Sequence, residues 1–364
     1  MIKLKQPVCR IKKFIYFYLK RIFSSKSKNV FIQFKEILYL IYKIKYLPHN
    51  YYKFNGYLKG VDVDDVVDYM PGVLFDAIKE AVINDSNYEV LVKDKYLFSR
   101  FLHLNNLPCT EVLGVYIPSV GIVDADYKKV NQEEFFDNLT SDFVIKPTSE
   151  SAQGEGVKVI KLDEITNKSS FLNYLKINIK NESLIEKKIA QHEALDKIHA
   201  DSINTVRVDT LIKTNGDVLI GNSVLRVGRN GRKVDNWSGN EGGIAIPIDL
   251  ETGKLKESGR DYFFNSYFQH PNSGVCFKEY TLPYFDDILS LVKKAALLFP
   301  KIRSLGWDVS ITHAGPVIIE ANHDYGARLI QVAGPMFKNS EFIASIKEYV
   351  YSCDKGRKYR KYFK

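Results

Sequence analysis

The chain has 364 residues, of which 45% are hydrophobic and 26% are charged, a composition typical of a globular protein that buries a sizeable core. The net charge of +9 is unevenly distributed: residues 1–60 hold 14 Lys and Arg and one acidic residue, residues 355–364 hold six basic residues and no acidic one, and the body from 61 to 354 carries −10. No groove-reading or base-stacking module follows the basic segment, so we expect no nucleic-acid partner.

The cysteine pattern indicates a reducing compartment. The four cysteines are scattered, without a CxxC pair. The longest apolar runs near the N-terminus, 14–19 and 37–42, are shorter than the apolar core of a signal peptide and far shorter than a membrane span. We therefore expect a cytoplasmic protein, and the first 60 residues leave attachment to the inner face of the membrane open.

Those first 60 residues predict two basic amphipathic helices. Apolar residues from Ile11 to Phe23 recur at i, i+3, i+4 and i+7 with basic residues largely between them, and a second set runs from Phe34 to Ile44. One interpretation is a pair of helices on an anionic membrane surface, where each basic residue contributes ~1 kcal/mol. The other is a helical extension that packs on the acidic body. The pattern leaves both open.

A lysine-bearing strand and a polar loop come early in the body. The segment from Asp94 to Leu104 predicts a helix with Lys95 in its first turn. The next predicted strand, 143–147, carries Lys146 and leads through a Ser- and Gly-containing loop into a second strand. The pair is either an ordinary hairpin or a flap whose backbone N–H groups and hydroxyls cover phosphates. The sequence has no Walker-type motif and no strand-led GxGxxG.

Arginines occur in two predicted strands in the middle of the chain, at Arg207 and Arg226. An arginine among valines is usually ion-paired or snorkelling. Here a glycine-rich polar loop at 236–243 follows, and loops of that kind often carry function. The predicted elements of this part are strands at 183–189, 202–211 and 218–227 and helices at 285–298 and 342–353.

The stretch 306–322 predicts two strands around a Gly-Pro turn. Side chains at i and i+2 of a strand point the same way, so Glu320 and Asn322 share one face while Ile319 and Ala321 occupy the other. The apolar flank argues against a merely solvated acidic face, because an unpaired charge in buried surroundings costs several kcal/mol. A bound metal would remove that cost.

The register of this hairpin decides whether a third ligand joins the set. A loop with an odd number of residues, 312–316, pairs Ile311 with Val317 and places Asp308 opposite Glu320, whereas an even loop places Asp308 on the wrong face. Three hard oxygen ligands suit Mg²⁺ that bridges nucleotide phosphates better than they suit zinc. We therefore predict a magnesium site of two carboxylates and one amide.

Taken in order, these features resemble the ATP-grasp superfamily. Within it, the segments Ser-Ile-Asn-Thr-Val-Arg, Gly-Trp-Asp-Val and Glu-Ala-Asn are most similar to the sugar-transfer-associated ATP-grasp proteins, over roughly residues 85–350. The resemblance implies an α+β fold in which two lobes clasp ATP. The flap is poorer in glycine than the usual pattern, and the first 60 residues lie outside the resemblance.

The resemblance also implies roles for individual residues. Those expected to bind ATP are Lys95, Lys146, Ser149, Ser151, Gly154, Glu186, His192 and Asn204, with Glu186 at the hinge beside adenine. Those expected to hold Mg²⁺ are Asp308, Glu320 and Asn322. Those expected near the transferred phosphoryl group and the acceptor are Arg207, Arg328 and Lys146. Those expected to bind substrate are Arg226, Asn236, Trp237, Ser238 and Asn240.

The function that these features indicate is an ATP- and Mg²⁺-dependent carboxylate–amine ligase. It would form an amide through an acyl phosphate in surface-polysaccharide synthesis, with a uronic acid or similar carboxylate and an amine as substrates. The alternatives are a kinase-like phosphotransferase that acts on a sugar and a non-catalytic adaptor at a membrane or glycan-assembly site. The predicted parts are a basic helical extension (1–60), the first part of the body (61–140), a small lobe with the flap (141–190), a large lobe with the metal site (191–354) and a basic tail (355–364).

Overall fold

Two antiparallel sheets organise the chain. The computed structural model describes residues 18–48, 50–149, 156–165, 167–238 and 242–363. A five-stranded sheet has the order β2-β1-β5-β3-β4, and a seven-stranded sheet has the order β10-β9-β8-β7-β6-β11-β12. The strands are β1 Val112–Ile117, β2 Gly121–Val123, β3 Phe143–Pro147, β4 Lys158–Ile160, β5 Ser183–Lys187, β6 Thr205–Ile212, β7 Val218–Val227, β8 Ile244–Pro247, β9 Gly259–Arg260, β10 Ser266–Tyr267, β11 Ser304–Thr312 and β12 Gly315–Asn322.

Helices cover the sheets and precede them in the chain. They are α1 Val30–Ile44, α2 Asn50–Lys53, α3 Asp64–Val67, α4 Gly72–Ile78, α5 Val90–Lys93, α6 Lys95–Leu104, α7 Gln132–Asp137, α8 Lys168–Asn178, α9 Glu193–Asp196, α10 Phe285–Leu297, α11 Ala327–Ile330 and α12 Ser340–Ser352. The predicted helices at 94–104, 285–298 and 342–353 are confirmed to within two residues at each end. No helix in the described part of the chain is both long and apolar enough to cross a bilayer.

Each sheet has its own hydrophobic core. In the seven-stranded sheet, one face of β6, β7, β11 and β12 packs on α10, and Trp307 is fully buried there. In the five-stranded sheet, Phe143 and Ile145 pack against α7 and α8 through Phe136 and Leu175. Because strand side chains alternate between faces, the opposite face of β6, β7 and β11 is left for polar residues.

One face of the N-terminal extension packs on the body. For that face, the structure favours a helical extension that packs on the body over helices on a membrane surface. Leu40 and Ile44 of α1 are buried with Tyr51 of α2. Phe54 stacks on Tyr69 with ring centroids 3.9 Å apart and meets Phe264 of the body edge-on at 4.8 Å. The helix predicted from Ile11 to Phe23 lies outside the described residues except at 18–23, of which 18–22 are helical.

The basic C-terminal tail is folded as well. Residues Asp354–Phe363 form a 3₁₀ segment whose Tyr359 hydroxyl donates to the Ala77 carbonyl at 3.0 Å. Tyr362 meets Tyr46 of the extension edge-on, with ring centroids 5.8 Å apart. The described part of the extension and the described part of the tail therefore both lie against the body. The division into five parts stays a prediction.

Candidate active site

A ladder of charged side chains crosses one face of the seven-stranded sheet. Strand pairing sets Arg207 of β6 opposite Asp308 of β11, and Asp308 in turn opposite Glu320 of β12. Their strand neighbours, such as Val206 and Val208, point into the core on the other face. The alternation of β6 and β11 therefore assembles these groups side by side without any loop.

Asp308 is the most heavily engaged carboxylate of the ladder. Arg207 donates to both its oxygens, Nε to Oδ1 at 2.5 Å and Nη2 to Oδ2 at 2.8 Å, and Arg226 Nη2 lies 3.3 Å from Oδ2. Burial alone would raise the pKa of Asp308, but Arg207 and Arg226 outweigh it and hold the pKa well below its usual value. Asp308 is therefore ionised at any physiological pH.

Arg226 joins a second buried acid, Asp235, to this ladder. Arg226 Nη2 lies 3.3 Å from Asp235 Oδ1, and Asp235 also accepts hydrogen bonds from the Thr205 backbone N–H and hydroxyl. Burial raises the pKa of Asp235, and Arg226 opposes that shift. Sequence reasoning missed Asp235, although it directly precedes the polar loop at 236–243 that was singled out.

The hairpin that carries the acids has a different loop from the predicted one, but it still sets Asp308 opposite Glu320. Thr312 pairs with Gly315, so the loop has two residues rather than an odd number. A β-bulge between Asp308 and Val309 skips Ile319, and this extra residue shifts the register by one, which restores Asp308 opposite Glu320. The prediction that these two carboxylates face each other is confirmed, and the predicted pairing of Ile311 with Val317 is wrong.

The bulge also changes which apolar residues lie behind the acids. Ile318 and Ala321 are in the core, whereas Ile319 is only half-buried, because the bulge removes it from regular alternation. The predicted sharing of the apolar face by Ile319 and Ala321 is therefore wrong. Glu320 and Asn322 do share a face, since Asn322 Nδ2 lies 3.2 Å from Glu320 Oε1.

The acid pair is chemically suited to a divalent cation. Burial and the neighbouring Asp308 both raise the pKa of Glu320. Asn322 Nδ2 lies 3.4 Å from Asp308 Oδ2, so all three predicted ligands converge, and exchanging the amide O and N of Asn322 would give three oxygens. A cation between the two carboxylates would relieve their repulsion, and oxygen donors are the ligands that Mg²⁺ prefers.

The five-stranded sheet contributes a buried lysine–glutamate pair. Lys146 of β3 lies 2.7 Å from Glu186 of β5, which also accepts from the Thr110 hydroxyl at 2.8 Å. The strands are adjacent, and their register sets Lys146 opposite Leu184 and Glu186 opposite Val144. Glu186 therefore fixes Lys146 through its carboxylate, a role that the prediction of an adenine contact did not include.

The two sheets meet at Lys95, the first residue of α6. The Lys95 backbone N–H donates to the Thr148 carbonyl at 2.8 Å, just past the end of β3. Burial lowers the pKa of the Lys95 ammonium, and the charges that act on it come from both sheets: Glu320, Lys146 and Glu186. Lys95 of α6 and Lys146 of the five-stranded sheet thus face the carboxylates of the seven-stranded sheet across a shared cleft.

The structure does not bring two predicted ATP ligands into this cleft. Asn204 is fully buried, and its amide bonds to the His199 and Leu195 carbonyls, the Gly228 N–H and the Ser202 hydroxyl, which leaves none of its polar atoms for a nucleotide. The His192 backbone N–H bonds to the Ile311 carbonyl, three residues past Asp308 and about 10 Å along the strand.

His192 instead belongs to a cluster near the hairpin turn. Its ring stacks on His313 with centroids 4.9 Å apart, and the ligand atoms of His192, Glu193 and His313 lie within 4.8 Å of one another. Glu193 and His313 are exposed. This set is separate from the acid pair of the cleft.

The predicted substrate residues Asn236, Trp237 and Ser238 lie in the loop between β7 and β8. Trp237 is buried and donates its indole N–H to the Arg260 carbonyl at 2.6 Å, and Asn236 and Ser238 are half-buried. Arg328, on α11, lies among aromatic rings, with its guanidinium 5.7 Å from the Trp237 ring. Ser149 is exposed at the start of the flap. Ser151, Gly154 and Asn240 lie outside the described residues.

Two lobes, each built on an antiparallel sheet, with lysines and acids on opposite sides of the cleft between them, define the ATP-grasp class of proteins. A profile of the sugar-transfer associated ATP-grasp family matches residues 79–340. The chain belongs to this sugar-transfer associated ATP-grasp family, and the resemblance drawn from the sequence is confirmed. The first 78 residues lie outside the match. A search of curated protein sequences finds no match.

The solved structures that match the chain include two ligases at low sequence identity. The D-alanine-D-alanine ligase from Coxiella burnetii is 10% identical, with a TM-score of 0.43 over 76% of this chain and 64% of that ligase. The VanG D-Ala:D-Ser ligase from Enterococcus faecalis is 13% identical, with a TM-score of 0.43 over 72% and 64% of the two chains. The chain thus spans less than two thirds of the length of either ligase.

Proposed function

We propose that this protein is an ATP- and Mg²⁺-dependent ligase that joins a carboxylate to an amine. The observation that carries the proposal is the cleft itself, in which Lys95 of α6 and Lys146 of β3 face the carboxylates Asp308 and Glu320 of the seven-stranded sheet. Lysine ammonium groups suit phosphate oxygens, and carboxylates suit a divalent cation. A nucleotide triphosphate with its metal ion supplies both charges.

The chain's own residues have distinct tasks in this proposal. Lys95 and Lys146 bind phosphate oxygens, with Lys146 held in place by Glu186. Asp308 and Glu320, with Asn322, would hold Mg²⁺, which when bound neutralises phosphate charge.

Arg207 has one nitrogen left for the reaction. Two of its guanidinium nitrogens donate to Asp308, whereas Nη1 donates to no residue that the structure describes. We assign Nη1 to the transferred phosphoryl group, whose developing negative charge it would stabilise.

The reaction that suits these groups has two steps. An oxygen of the acceptor carboxylate attacks the γ-phosphorus of ATP, the bond to the bridging oxygen breaks, and ADP leaves. The amine then attacks the acyl carbon of the resulting acyl phosphate, inorganic phosphate leaves, and the amine loses a proton. The protein contributes positioning, charge and the exclusion of water, and needs no nucleophile of its own.

The test is to look for the acyl phosphate. A carboxylate substrate labelled with ¹⁸O should pass one labelled oxygen to inorganic phosphate, and hydroxylamine should trap the intermediate as a hydroxamate. The screen that comes first measures ADP release with uronic acids and amines, singly and in pairs. A stable phosphoester on a sugar hydroxyl, with no label in phosphate, would overturn the ligase in favour of the kinase-like phosphotransferase.

We further propose that the reaction serves the construction of a surface glycan at the cytoplasmic face of a membrane. The family's association with sugar transfer supports a uronic acid or similar sugar carboxylate as the acceptor. The non-catalytic adaptor is disfavoured because an adaptor has no need of the buried acid pair and the paired lysine, which this chain retains.

A stripe of exposed apolar residues on α1 supports the membrane part of this proposal. Phe31, Phe34, Leu38 and Tyr42 recur at i, i+3, i+7 and i+11 on the side of α1 that faces away from the body, with exposed fractions of 77%, 59%, 50% and 77%. Lys35 lies on the same side and is exposed. Aromatic residues beside lysines suit the headgroup region of an anionic bilayer.

A further inference from the structure

The basic tail presents its lysines in a straight line. Asp354–Phe363 is a 3₁₀ helix, in which side chains three residues apart lie one above the other. Lys355, Lys358 and Lys361 follow this spacing, and all three are exposed. In an α-helix, with about 100° per residue, the same lysines would spread over about 120°. The 3₁₀ geometry therefore aligns them, and we call these three residues the lysine row.

A second line of residues in the tail holds it on the body. Gly356 and Tyr359, again three residues apart, are both buried. Gly356 comes so close to the end of α12 that a Cβ atom there would lie 2.0 Å from the Val350 carbonyl oxygen. The Tyr359 hydroxyl donates to the Ala77 carbonyl at 3.0 Å. These contacts fix the rotation of the 3₁₀ helix, so the lysine row faces away from the body.

The lysine row has no acidic partner among the residues that the structure describes. Lys358 and Lys361 each lie over the ring of the tyrosine that follows, at 4.9 and 4.8 Å, a contact that does not neutralise their charge. Exposed lysines of the acidic body do find acids, as Lys233 does at 3.1 Å from Asp201. A solvated lysine needs no partner, so the surroundings of the row decide whether it has one.

A groove of about 710 Å³ runs beside the lysine row, between the tail and the π-helical segment Lys79–Ile83. Three cations and two acids line it together with Ala81: Lys355, Arg357, Lys358, Glu80 and Asp354. All five charged residues are exposed. Because cations outnumber acids, the groove has room and net charge for an anionic group, and a phosphate accepts charge-assisted hydrogen bonds from both arginine and lysine.

The lysine row ends beside the extension. Tyr362, which follows Lys361, meets Tyr46 edge-on with ring centroids 5.8 Å apart, and Tyr46 lies two residues past the end of α1. Lys43 and Lys45, at that end of α1, are exposed. The cations of the tail are therefore neighbours of the cations of α1, the helix that carries the exposed apolar stripe. Positive charge beside exposed aromatic residues suits an anionic membrane surface.

We propose that the lysine row and the groove beside it bind the headgroups of anionic phospholipids, as a second contact with the membrane next to α1. The proposal rests on the membrane part of the function proposed above and adds the tail as the element that responds to surface charge. The apolar stripe of α1 enters the headgroup region, and the lysine row remains at the charged surface. Two contacts from different parts of the chain fix the orientation of the body on the membrane.

A triple variant of the full-length protein tests the lysine row. It combines Lys355→Gln, Lys358→Gln and Lys361→Gln, and its binding is measured by sedimentation with vesicles of equal parts phosphatidylglycerol and phosphatidylcholine. Each basic residue near an anionic surface strengthens binding about fivefold, so the variant should bind about a hundredfold more weakly than the wild type. Its thermal midpoint should match that of the wild type, because all three side chains are exposed.

A matched control changes the net charge by the same amount elsewhere. It combines Lys278→Gln, Lys293→Gln and Lys294→Gln, at exposed lysines of the body. The control should bind anionic vesicles as tightly as the wild type does, because these lysines lie outside the proposed contact. Vesicles of phosphatidylcholine alone should not distinguish the two triple variants, since they carry no net surface charge.

Chemical footprinting locates the contact in the wild type. A water-soluble reagent acetylates exposed lysine amines, and mass spectrometry measures the extent at each lysine. Anionic vesicles should protect the lysine row and leave Lys293 of the body reactive. Lys35, on the exposed side of α1, reports contact of that helix separately. Inorganic phosphate and a soluble RNA, each added without vesicles at the same salt concentration, should protect none of these lysines.

The possible results have separate consequences. Protection of Lys35 without protection of the lysine row, or equal vesicle affinity of the two triple variants, overturns the lipid site and leaves the contact of α1 in place. Protection of the row by inorganic phosphate or RNA, and not by vesicles, overturns the membrane as its partner. Protection of the row by vesicles, in a protein that releases no ADP with any carboxylate and amine, supports the lipid site and rejects the ligase function.

Discussion

Among the single residues of the ladder, the acids outnumber the arginines. Arg207 and Arg226 neutralise Asp308 and Asp235, and Glu320 remains as the additional acid, with a pKa raised by burial and by Asp308. Glu320 is therefore the residue at which a bound cation would have most effect. It is also the better residue to substitute, because removing Asp308 leaves two buried arginines without their partner, at a cost of about 3–5 kcal/mol.

Glu320→Gln should abolish catalysis without unfolding the protein. The substitution keeps the shape and removes a charge that burial disfavours, so we expect a thermal midpoint no lower than that of the wild type. Turnover, followed as ADP release, should fall by about a hundredfold or more. Glu193→Gln, at an exposed carboxylate, is the control and should leave turnover unchanged. Full activity of Glu320→Gln at matched stability would remove the metal assignment.

Asp209 gives a prediction for the pH dependence of stability. It is fully buried on β6, which raises its pKa to about 7, against the ordinary value near 3.8. The folded state therefore binds a proton that the unfolded state has released, so this contribution to stability is complete below about pH 4 and is lost as the pH rises through 7.

Asp209→Asn should remove that pH dependence. Between pH 5 and pH 7.5 the wild type should lose about 2 kcal/mol more of its free energy of unfolding than the variant does. Urea unfolding at the two pH values measures the difference. Lys79, whose pKa is lowered to about 8 by burial, stays mostly charged in this window and contributes little. If the wild type and Asp209→Asn lose the same free energy of unfolding between the two pH values, Asp209 is ionised in the folded state at pH 5.

At the level of elements, the bulge in β12 determines the geometry of the site. With a two-residue loop, a regular hairpin would turn Asp308 away from Glu320, and the single extra residue, Ile319, corrects this. Bulges often occur next to active sites because they redirect one side chain while the strand pairing continues on both sides.

Helix α1 combines two apolar stripes with different environments. One, at Leu40 and Ile44, is buried with Tyr51 of α2, and the other, at Phe31, Phe34 and Leu38, is exposed. Replacing these three exposed residues with serine should abolish binding to anionic vesicles in a sedimentation assay. The control replaces Leu104, Ile177 and Phe268 with serine, since these residues are similarly exposed on the body.

The salt dependence of vesicle binding distinguishes an anionic surface from a purely apolar one. Binding by the wild type should weaken as salt rises, because exposed charges are screened over ~10 Å at 0.1 M. Neutral vesicles should bind poorly. If the control and the stripe variant bind equally, or if the wild type binds no vesicle at low salt, α1 is not a membrane-binding element.

At the scale of the whole molecule, the extension forms part of the folded body. Phe54 is 6% exposed and lies between Tyr69 and Phe264, and Asn55 Nδ2 donates to the Phe264 carbonyl at 3.1 Å. Phe264 also lies beside Arg328, whose guanidinium is 5.7 Å from its ring centroid. Order in the extension and order around Arg328 should therefore be coupled.

Phe54→Ala should destabilise the body as well as the extension. Removing a buried phenylalanine costs about 3–5 kcal/mol, and Trp237 lies in the same hydrophobic cluster. Its fluorescence should report the loss during urea unfolding. Leu38→Ala, at a half-exposed position of α1, should change stability by less than about 0.5 kcal/mol. An unchanged unfolding transition in Phe54→Ala would mean that the extension is independent of the body.

The sequence by itself determined the elements and the chemical nature of the site. The strand predicted at 218–227 coincides with β7 at both its ends, in a stretch that contains Val and Ile, which are enriched in strands. The acids and amide at 308, 320 and 322 and the lysine at 146 identified the chemistry, and their order supported the family resemblance. All these signals lie within a few residues of one another or in the order of motifs along the chain.

The tertiary structure alone decided which charges meet. Arg207 and Asp308 are 101 residues apart and become bidentate partners only because β6 and β11 are neighbours in the sheet. The bulge at Ile319 depends on packing on both faces of β12, which local periodicity does not record. Phe54 and Phe264 meet only when the extension folds back on the body. Strand order, bulges and the packing of the extension on the body are set by the burial of whole surfaces, and no short stretch of sequence specifies them.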